Sequence, residues 1–159
     1  FAHCSWYMDS PTTLQKLFAR VRPWSKRLGF AEWDPEAENV HQLPHLVASV
    51  VQAQVRTHWP ECGMGNVVSL IVPEQARSMA ERAGWRVSKE RTTRSSSSLE
   101  DGVGWEIAEA IDMADQMGQS KGSAPQSARD LVSAEARLLD SLARREPRES
   151  LNAYVFLAE

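Results

Sequence analysis

Cysteine is scarce in this sequence of 159 residues, and so is any pattern of metal ligands. Cys4 and Cys62 are the two cysteines, which are too few to form a disulfide framework. No other feature indicates export, so we expect a protein of the reduced cytoplasm. The four histidines and two cysteines have no ligand-like spacing, and we therefore expect no metal site.

Long apolar runs and an excess of positive charge are absent as well. No apolar run approaches the roughly 20 residues that span a bilayer, so we expect no membrane partner. The formal net charge of −3 gives no broad basic surface, which argues against nucleic-acid binding. The N-terminus has no basic region followed by an apolar one, as a signal peptide would require.

A starting methionine is also missing. The sequence begins at Phe1, inside an apolar segment with no cap or turn before it, and we interpret this as a boundary within a longer protein. Hydrophobic residues make up 42% and charged residues 25%, the balance of a soluble globular protein. The length suits one domain, so we expect residues 1–159 to be the C-terminal part of a single domain.

The first 33 residues predict a strand, a helix and a second strand. Residues 1–4 have the apolar character of a strand end. Ser10 is a favoured N-cap, and Pro11 is favoured at the first helical position. Apolar residues then recur with helical spacing at Leu14, Leu17, Phe18 and Val21. The apolar run at 27–33 predicts a buried strand, which completes a βαβ unit with parallel strands.

The rest of the chain follows similar patterns. Helices are predicted at about 40–58, 73–84, 105–117 and 128–145. Strands are predicted at 85–93 and 150–157, and residues 67–72 are predicted to be extended. Serine and glycine mark a loop at 94–104, and small polar residues mark a flexible linker at 118–127.

Polar and aromatic side chains cluster just after the first two predicted strands. Residues 3–7, H-C-S-W-Y, leave the first strand, and residues 32–34, E-W-D, leave the second. Parallel strands bring their carboxyl ends to one edge of the sheet, where open α/β proteins bind ligands. An imidazole, a thiol, a phenol, two carboxylates and two indoles at this edge predict a small-molecule pocket.

Three segments carry a resemblance to a known family: F-A-H-C-S-W-Y at 1–7, R-L-G-F-A-E-W-D at 27–34 and E-R-A-G-W-R-V at 81–87. Together they resemble the second half of class I S-adenosylmethionine-dependent methyltransferases, and more narrowly a fungal and bacterial group of small-molecule methyltransferase-like proteins. The resemblance implies an α/β, Rossmann-like fold with helices on both faces. This chain would supply strands four to seven of a seven-stranded sheet whose last strand is antiparallel.

The position of the residues that leave the first strand makes them candidates for the chemistry of methyl transfer. His3 would be the catalytic base, because methyl transfer needs a nucleophile whose proton is removed. His3, Cys4, Ser5 and Trp6 would contact the cofactor, S-adenosylmethionine, whose glycine-rich loop lies in an N-terminal half absent from this chain. Simpler interpretations stay open: a backbone hydrogen bond for His3, core positions for Trp6 and Tyr7, and a small buried hydrophobe for Cys4.

Six side chains are candidates for substrate binding: Tyr7, Glu32, Trp33, His45, Gln52 and Trp105. In the family, the region that holds His45 and Gln52 tends to cover the substrate site. Trp105 opens a predicted helix after a flexible loop, an arrangement typical of a lid. Glu32 could instead hold a helix N-terminus, His45 could belong to a polar helix face, and Trp105 could be a packing anchor.

The function implied is methyl transfer to an oxygen or nitrogen of a small metabolite, with the cofactor half supplied by other residues or a second chain. The alternative is a catalytically inactive or repurposed methyltransferase-like protein that acts as a partner subunit or scaffold. A central strand with a bare edge invites aggregation, so we expect pairing with the missing half or with another copy. Whether the helix at 128–145 packs within the chain or forms a dimer interface stays open.

Overall fold

The computed structural model describes residues 1–94, 100–120, 122–145 and 147–159, apart from the side chains of 100–102. The helices are α1 (Pro11–Val21), α2 (Leu43–His58), α3 (Pro73–Arg82), α4 (Glu100–Gln119) and α5 (Gln126–Ala143), with a 3-10 helix at Ser5–Tyr7. The strands are β1 (Leu28–Trp33), β2 (Val87–Thr93) and β3 (Ala153–Ala158). Unit 1 holds residues 1–36, 69–94 and 152–159, and unit 2 holds the described residues of 37–68 and 95–151.

The sheet of unit 1 has its last strand in the middle. β3 lies between β1 and β2 and runs antiparallel to both, so β1 and β2 point the same way. The register places Phe30 opposite Phe156 and Glu32 opposite Tyr154. The rings of Phe30 and Phe156 stack with centroids 5.0 Å apart. The last strand is therefore antiparallel, as the resemblance implied.

The number of strands differs from the prediction. The described residues form three strands and not four, because residues 1–4 do not continue as a strand. Ala2 makes one parallel bridge to Ala31, and the Phe1 ammonium donates to the Gly29 carbonyl at 2.8 Å. His3 then adopts a φ of 46°, which ends the extended backbone before the 3-10 helix begins. The predicted parallel pairing is thus reduced to a single bridge.

Helix α1 packs on one face of this sheet through Phe18, and α3 packs against α1, β2 and β3. Phe18 on α1 is fully buried, and its ring contacts Phe30 and Phe156 edge-on, with centroids 5.7 and 6.2 Å away. On the opposite face, Leu157 is 51% exposed. In the part of unit 1 that the structure describes, α1 therefore lies on one face while Leu157 is exposed on the other. Helices on both faces of the sheet stay a prediction.

Two predicted boundaries are wrong. Helix α4 begins at Glu100, so residues 100–104 are helical and not loop, while 95–99 lie outside the described residues. The helix starts early because Val103 is buried and continues the apolar face of Ile107 and Ala110. Residues 118–119 belong to α4 and 126–127 to α5, so the connection is shorter than the predicted linker. Its flexibility stays a prediction, and residues 67–72 form no strand.

Helices α2, α4 and α5 pack around a second apolar core in unit 2. Its largest members repeat at helical spacing: Val51, Val55, Met113, Met117, Val132 and Leu139. The guanidinium of Arg129 donates to the carbonyls of Met117, Ser120 and Gly122, which would lack helical partners at the end of α4. None of the helices in the described ranges is both long and apolar enough to cross a bilayer.

Candidate active site at the end of the first strand

A buried carboxylate lies near the carboxyl end of β1. The alternation of side chains along β1 turns Leu28, Phe30 and Glu32 toward the covered face of the sheet, so Glu32 is only 2% exposed. Burying an ionised carboxylate is costly unless hydrogen bonds or an opposite charge compensate for the lost water. The candidate site consists of the groups that provide this compensation.

Ser5 and Trp33 supply the hydrogen bonds. The backbone N–H and the hydroxyl of Ser5 both donate to Oε2 of Glu32, at 2.8 and 2.7 Å. The backbone N–H of Trp33 donates to Oε1 at 3.0 Å. Ser5 is itself fully buried at the start of the 3-10 helix, so its two bonds to Glu32 are shielded from water.

These contacts lower the pKa of Glu32 below its ordinary value. Burial by itself raises the pKa of this carboxyl, but the His3 imidazole and the hydrogen bonds from Ser5 and Trp33 together lower it by more. Glu32 is therefore ionised at neutral pH, and it places a negative charge beside His3.

His3 is held in an uncommon conformation next to this carboxylate. Its φ of 46° lies in the left-handed region, and its N–H donates to the carbonyl of Ala31 at 2.9 Å. Its Nδ1 lies 3.5 Å from Oε1 of Glu32, and its ring lies against Trp33 with centroids 4.4 Å apart. A strained backbone that its neighbours hold in place is typical of a functional site.

The His3 ring is buried at one edge and open at the other. The atom Nδ1 is inaccessible to solvent, whereas the side chain as a whole is 38% exposed. The open part of the ring therefore lies away from Nδ1, on the side of Nε2. An imidazole with one nitrogen against a buried carboxylate and the other at the surface can accept a proton from a bound molecule.

A cavity of about 470 Å³ lies at the same end of β1. It is lined by Asp34, Pro35, Glu36, Val72, Pro73 and Glu74. This volume falls within the roughly 300–1,000 Å³ of small-molecule pockets. One oxygen of Asp34 accepts the N–H of Glu36 at 3.0 Å, so Asp34 stabilises the turn that follows β1.

The other residues that leave the first segment divide into buried and exposed groups. Trp6 is 2% exposed, and its indole N–H donates to the carbonyl of Ile71 at 3.3 Å, so it occupies the core position that the sequence left open. Cys4 is partly buried and Tyr7 is 51% exposed. Tyr7 and His3 can thus meet a bound molecule directly. Contact of His3, Cys4, Ser5 or Trp6 with the cofactor stays a prediction.

His45 and Trp105 belong to unit 2. His45 is buried, and its Nδ1 accepts the backbone N–H of Leu151 at 3.0 Å. Trp105 lies inside α4, five residues after its start at Glu100, and is 49% exposed. The prediction that Trp105 opens a helix is wrong, because the helix begins earlier. Substrate contact by either residue stays a prediction.

Gln52, the third candidate in unit 2, joins the segment after α2 to α4. It is fully buried, and its Nε2 donates to the Glu106 carboxylate at 2.9 Å. Its Oε1 accepts the backbone N–H groups of Asn66 and Val67 at 3.2 and 3.3 Å. These bonds give Gln52 a structural task in unit 2, and its contact with substrate stays a prediction.

Five residues that line the cavity are not among the candidates from the sequence: Pro35, Glu36, Val72, Pro73 and Glu74. Pro73 and Glu74 lie at the start of the helix predicted at 73–84. A usable signal existed, because helix starts and the carboxyl ends of strands lie at the same edge in open α/β folds. Among the residues that the structure describes, no group of three or more His, Cys, Asp or Glu side chains is placed to hold a metal ion.

Comparison with known proteins defines the class of fold. No protein-family model matches the chain, and no curated protein sequence matches it. The fold is α/β and methyltransferase-like. The chain is similar to the crystal structure of a cyclopropane-fatty-acyl-phospholipid synthase-like protein from Lactobacillus casei ATCC 334, with a TM-score of 0.75 and 22% identity. The match covers 99% of this chain and 53% of that chain, so this chain spans about half the length of the neighbour.

Proposed function

We propose that this chain forms part of an S-adenosylmethionine-dependent methyltransferase that acts on an oxygen or nitrogen of a small metabolite. The observation that carries the proposal is the open edge of the His3 imidazole, held against the buried Glu32 carboxylate in a methyltransferase-like fold. When bound, S-adenosylmethionine supplies a methyl group on a positively charged sulfur, which a lone pair attacks in line.

The side chains at the end of β1 fit a positively charged ligand. Asp34, Glu36 and Glu74 line the cavity, and no lysine or arginine is among its lining residues. The exposed ring of Tyr7 offers a π face of the kind that attracts cations. This combination suits a sulfonium group or an amine substrate better than it suits an anion.

The role of His3 follows from its exposed edge. Its Nε2 accepts the proton that an attacking hydroxyl or amine loses as the new bond to the methyl carbon forms. The residues that line the cavity would hold the acceptor. The cavity of about 470 Å³ limits the acceptor to a small molecule.

The proposal also includes a partner that covers the open face of the sheet in unit 1. The chain spans 53% of the solved neighbour, and the sheet face that carries Leu157 is open, with a cavity of about 750 Å³ along β2 and β3. The missing half of the methyltransferase, or another chain, would cover this face and supply the glycine-rich loop that approaches the cofactor. We propose that the active protein contains both parts.

An alternative function is a partner subunit or scaffold that transfers no methyl group. Several predicted site residues have structural tasks that favour this alternative. Ser5 and Trp6 are buried with their polar groups bonded inside unit 1, and Gln52 is bonded inside unit 2. A protein that kept the fold and lost the reaction would still need these contacts.

Calorimetric titration with S-adenosylmethionine tests the proposal. The isolated chain and a longer protein that includes the absent half are titrated side by side, and the mass of each is measured in solution. We expect binding by the longer protein and a larger mass than one chain for the isolated form. A longer protein that gives no heat of binding supports the scaffold alternative, and a stable monomer of the isolated chain argues against a covering partner.

Variants of His3 then test the reaction. The longer protein is incubated with S-adenosylmethionine and a panel of small hydroxyl and amine acceptors, and methylated products are identified by mass spectrometry. His3→Ala is expected to lower turnover by about 100-fold or more while cofactor affinity is retained, in the range of a lost general base. His41→Ala is the matched control and should turn over normally. Normal turnover by His3→Ala would exclude His3 as the base.

A further inference from the structure

Glu32 was predicted from the sequence to bind substrate, and in the structure its carboxylate is engaged by groups of this chain. The side chain is 2% exposed. Oε2 already accepts two bonds from Ser5, and Oε1 accepts the N–H of Trp33. The remaining neighbour of Oε1 is Nδ1 of His3, at 3.5 Å. The His3 ring, whose side chain is 38% exposed, extends from Glu32 toward the surface.

We infer that Glu32 is a positioning residue: its carboxylate holds His3 in the tautomer with the proton on Nδ1, which leaves Nε2 free to accept a proton at the open edge. The inference rests on the proposed methyl transfer and specifies how its base is prepared. Free imidazole exchanges between two tautomers, whereas a fixed acceptor at one nitrogen selects one of them.

One backbone conformation and two contacts fix the His3 ring in this orientation. The left-handed backbone at His3 and its N–H bond to Ala31 hold the main chain, and Trp33 holds one face of the ring. Trp33 also bonds Glu32 through its own N–H, so one residue orients both members of the pair. A site built on a strand end in this way keeps its geometry better than one built on a loop.

The chemical step balances with this assignment. A lone pair on the acceptor oxygen or nitrogen forms the bond to the methyl carbon, and the electron pair of the breaking carbon–sulfur bond stays on sulfur. The acceptor proton moves to Nε2 of His3, which becomes an imidazolium 3.5 Å from the Glu32 carboxylate. The negative charge therefore stabilises the form of His3 that appears during the reaction.

Other titratable groups near His3 and Glu32 make hydrogen bonds to other partners. Tyr154 lies opposite Glu32 in the sheet register, and its hydroxyl donates to Glu90 at 2.8 Å. The N-terminal ammonium of Phe1 donates to the carbonyl of Gly29 at 2.8 Å. Asp34, two residues after Glu32, accepts the N–H of Glu36. Nδ1 of His3 makes no hydrogen bond to Tyr154 or Asp34, and the Glu32 carboxylate lies 3.5 Å from it, at ion-pair distance.

Nitrogen NMR of the full chain tests the inference without substrate or cofactor. The chain has four histidines, and long-range proton–nitrogen spectra report which ring nitrogen of each carries the proton. A His3→Gln sample assigns the His3 signals. We expect the proton of His3 on Nδ1 at neutral pH. His45 is an internal contrast with its proton on Nε2, because its Nδ1 accepts the N–H of Leu151.

The variant Glu32→Gln sharpens the test. Both donors of Ser5 point at one oxygen of residue 32, so they will retain the amide oxygen and turn the amide nitrogen toward His3. The variant should therefore move the His3 proton from Nδ1 to Nε2, while Glu90→Gln, an exposed control in the same unit, should leave it in place.

A His3 proton on Nε2 in the unmodified protein overturns the inference, whether or not Glu32→Gln folds. An unchanged tautomer in a folded Glu32→Gln variant overturns it as well. In the longer protein, Glu32→Gln should lower turnover by about 100-fold with cofactor affinity retained. A failed cofactor titration rejects the proposed function and leaves the tautomer result standing, so the two failures are distinguishable.

Discussion

Ser5 donates two hydrogen bonds to a single oxygen of Glu32, one from its backbone N–H at 2.8 Å and one from its hydroxyl at 2.7 Å. The residues are 27 positions apart in the chain. This contact ties the segment before α1 to the end of β1, and it keeps a charged group stable in a buried position. Through this contact, the positions of the 3-10 helix, the end of β1 and His3 depend on one another.

Removal of the Ser5 hydroxyl tests this dependence. Ser5→Ala leaves the buried carboxylate with one donor fewer, and hydrogen bonds to charged groups contribute about 1.5–3 kcal/mol. We expect the free energy of unfolding in urea to fall by about 2 kcal/mol at neutral pH. Ser88→Ala is the control, because Ser88 is exposed and bonds the carbonyl of Leu157 at the surface. A loss of similar size in both variants would contradict the importance of the Glu32 contact.

The same carboxylate predicts an acid dependence of stability. The pKa of Glu32 is lowered in the folded state from an ordinary value of 4.5, so its ionised form favours folding. This contribution is present above the unfolded value of the pKa and is lost as pH falls through the folded one. The difference in stability between Ser5→Ala and the unmodified protein should therefore shrink below about pH 4 in urea titrations. A constant difference down to about pH 2 would contradict the assignment.

Gly65 is required by its backbone conformation and by its surroundings. It has a φ of 79°, and an added Cβ would collide with Sδ of the fully buried Met113 and lie 2.7 Å from its Cε. Gly65→Ala should lower the free energy of unfolding by at least about 1 kcal/mol. Gly63, two residues earlier, has no atom within 4 Å of an added Cβ. Gly63→Ala should be neutral or stabilising, and equal effects in the two variants would refute the argument.

Arg129 is the anchor of the connection between α4 and α5. Its guanidinium bonds the carbonyls of Met117, Ser120 and Gly122, a set that needs the planar fork of arginine. Arg129→Lys should therefore cost about 2 kcal/mol of stability although the charge is kept. Arg137→Lys, at an exposed position on α5, should change stability by less than about 0.5 kcal/mol. Hydrogen exchange should also rise at the end of α4 in Arg129→Lys alone.

Tyr154 predicts a dependence on alkaline pH. Burial, and then the hydrogen bond to Glu90, raise the pKa of Tyr154 above its ordinary value of 10.0. Its neutral form therefore favours folding, and the contribution is full below about pH 10 and is lost as pH rises further. Tyr154→Phe should lower stability by about 1 kcal/mol near neutral pH. The difference from the unmodified protein should shrink above about pH 10, and a difference that grows there would contradict the prediction.

The helices were predictable because their signals are local. Ser10 and Pro11 begin α1 as expected, and the apolar spacing from Leu14 to Val21 follows the helix to its end. The start of α4 was predicted too late, because the serines and glycines of 94–104 outweighed the apolar Val103. The decisive fact was the burial of Val103 against other helices, which a local pattern does not contain.

The sequence by itself determined which residues stand at the end of β1, since Glu32 and Trp33 close an apolar strand and Asp34 follows it wherever it packs. It also determined that His3 and Ser5 leave an extended segment. Only the tertiary structure decided that Ser5 donates its hydrogen bonds to Glu32 and that Glu32 faces His3, because these contacts join residues 27 to 29 positions apart. Side-chain alternation fixes the face on which Glu32 lies, but the partner that meets it there depends on how the chain folds back.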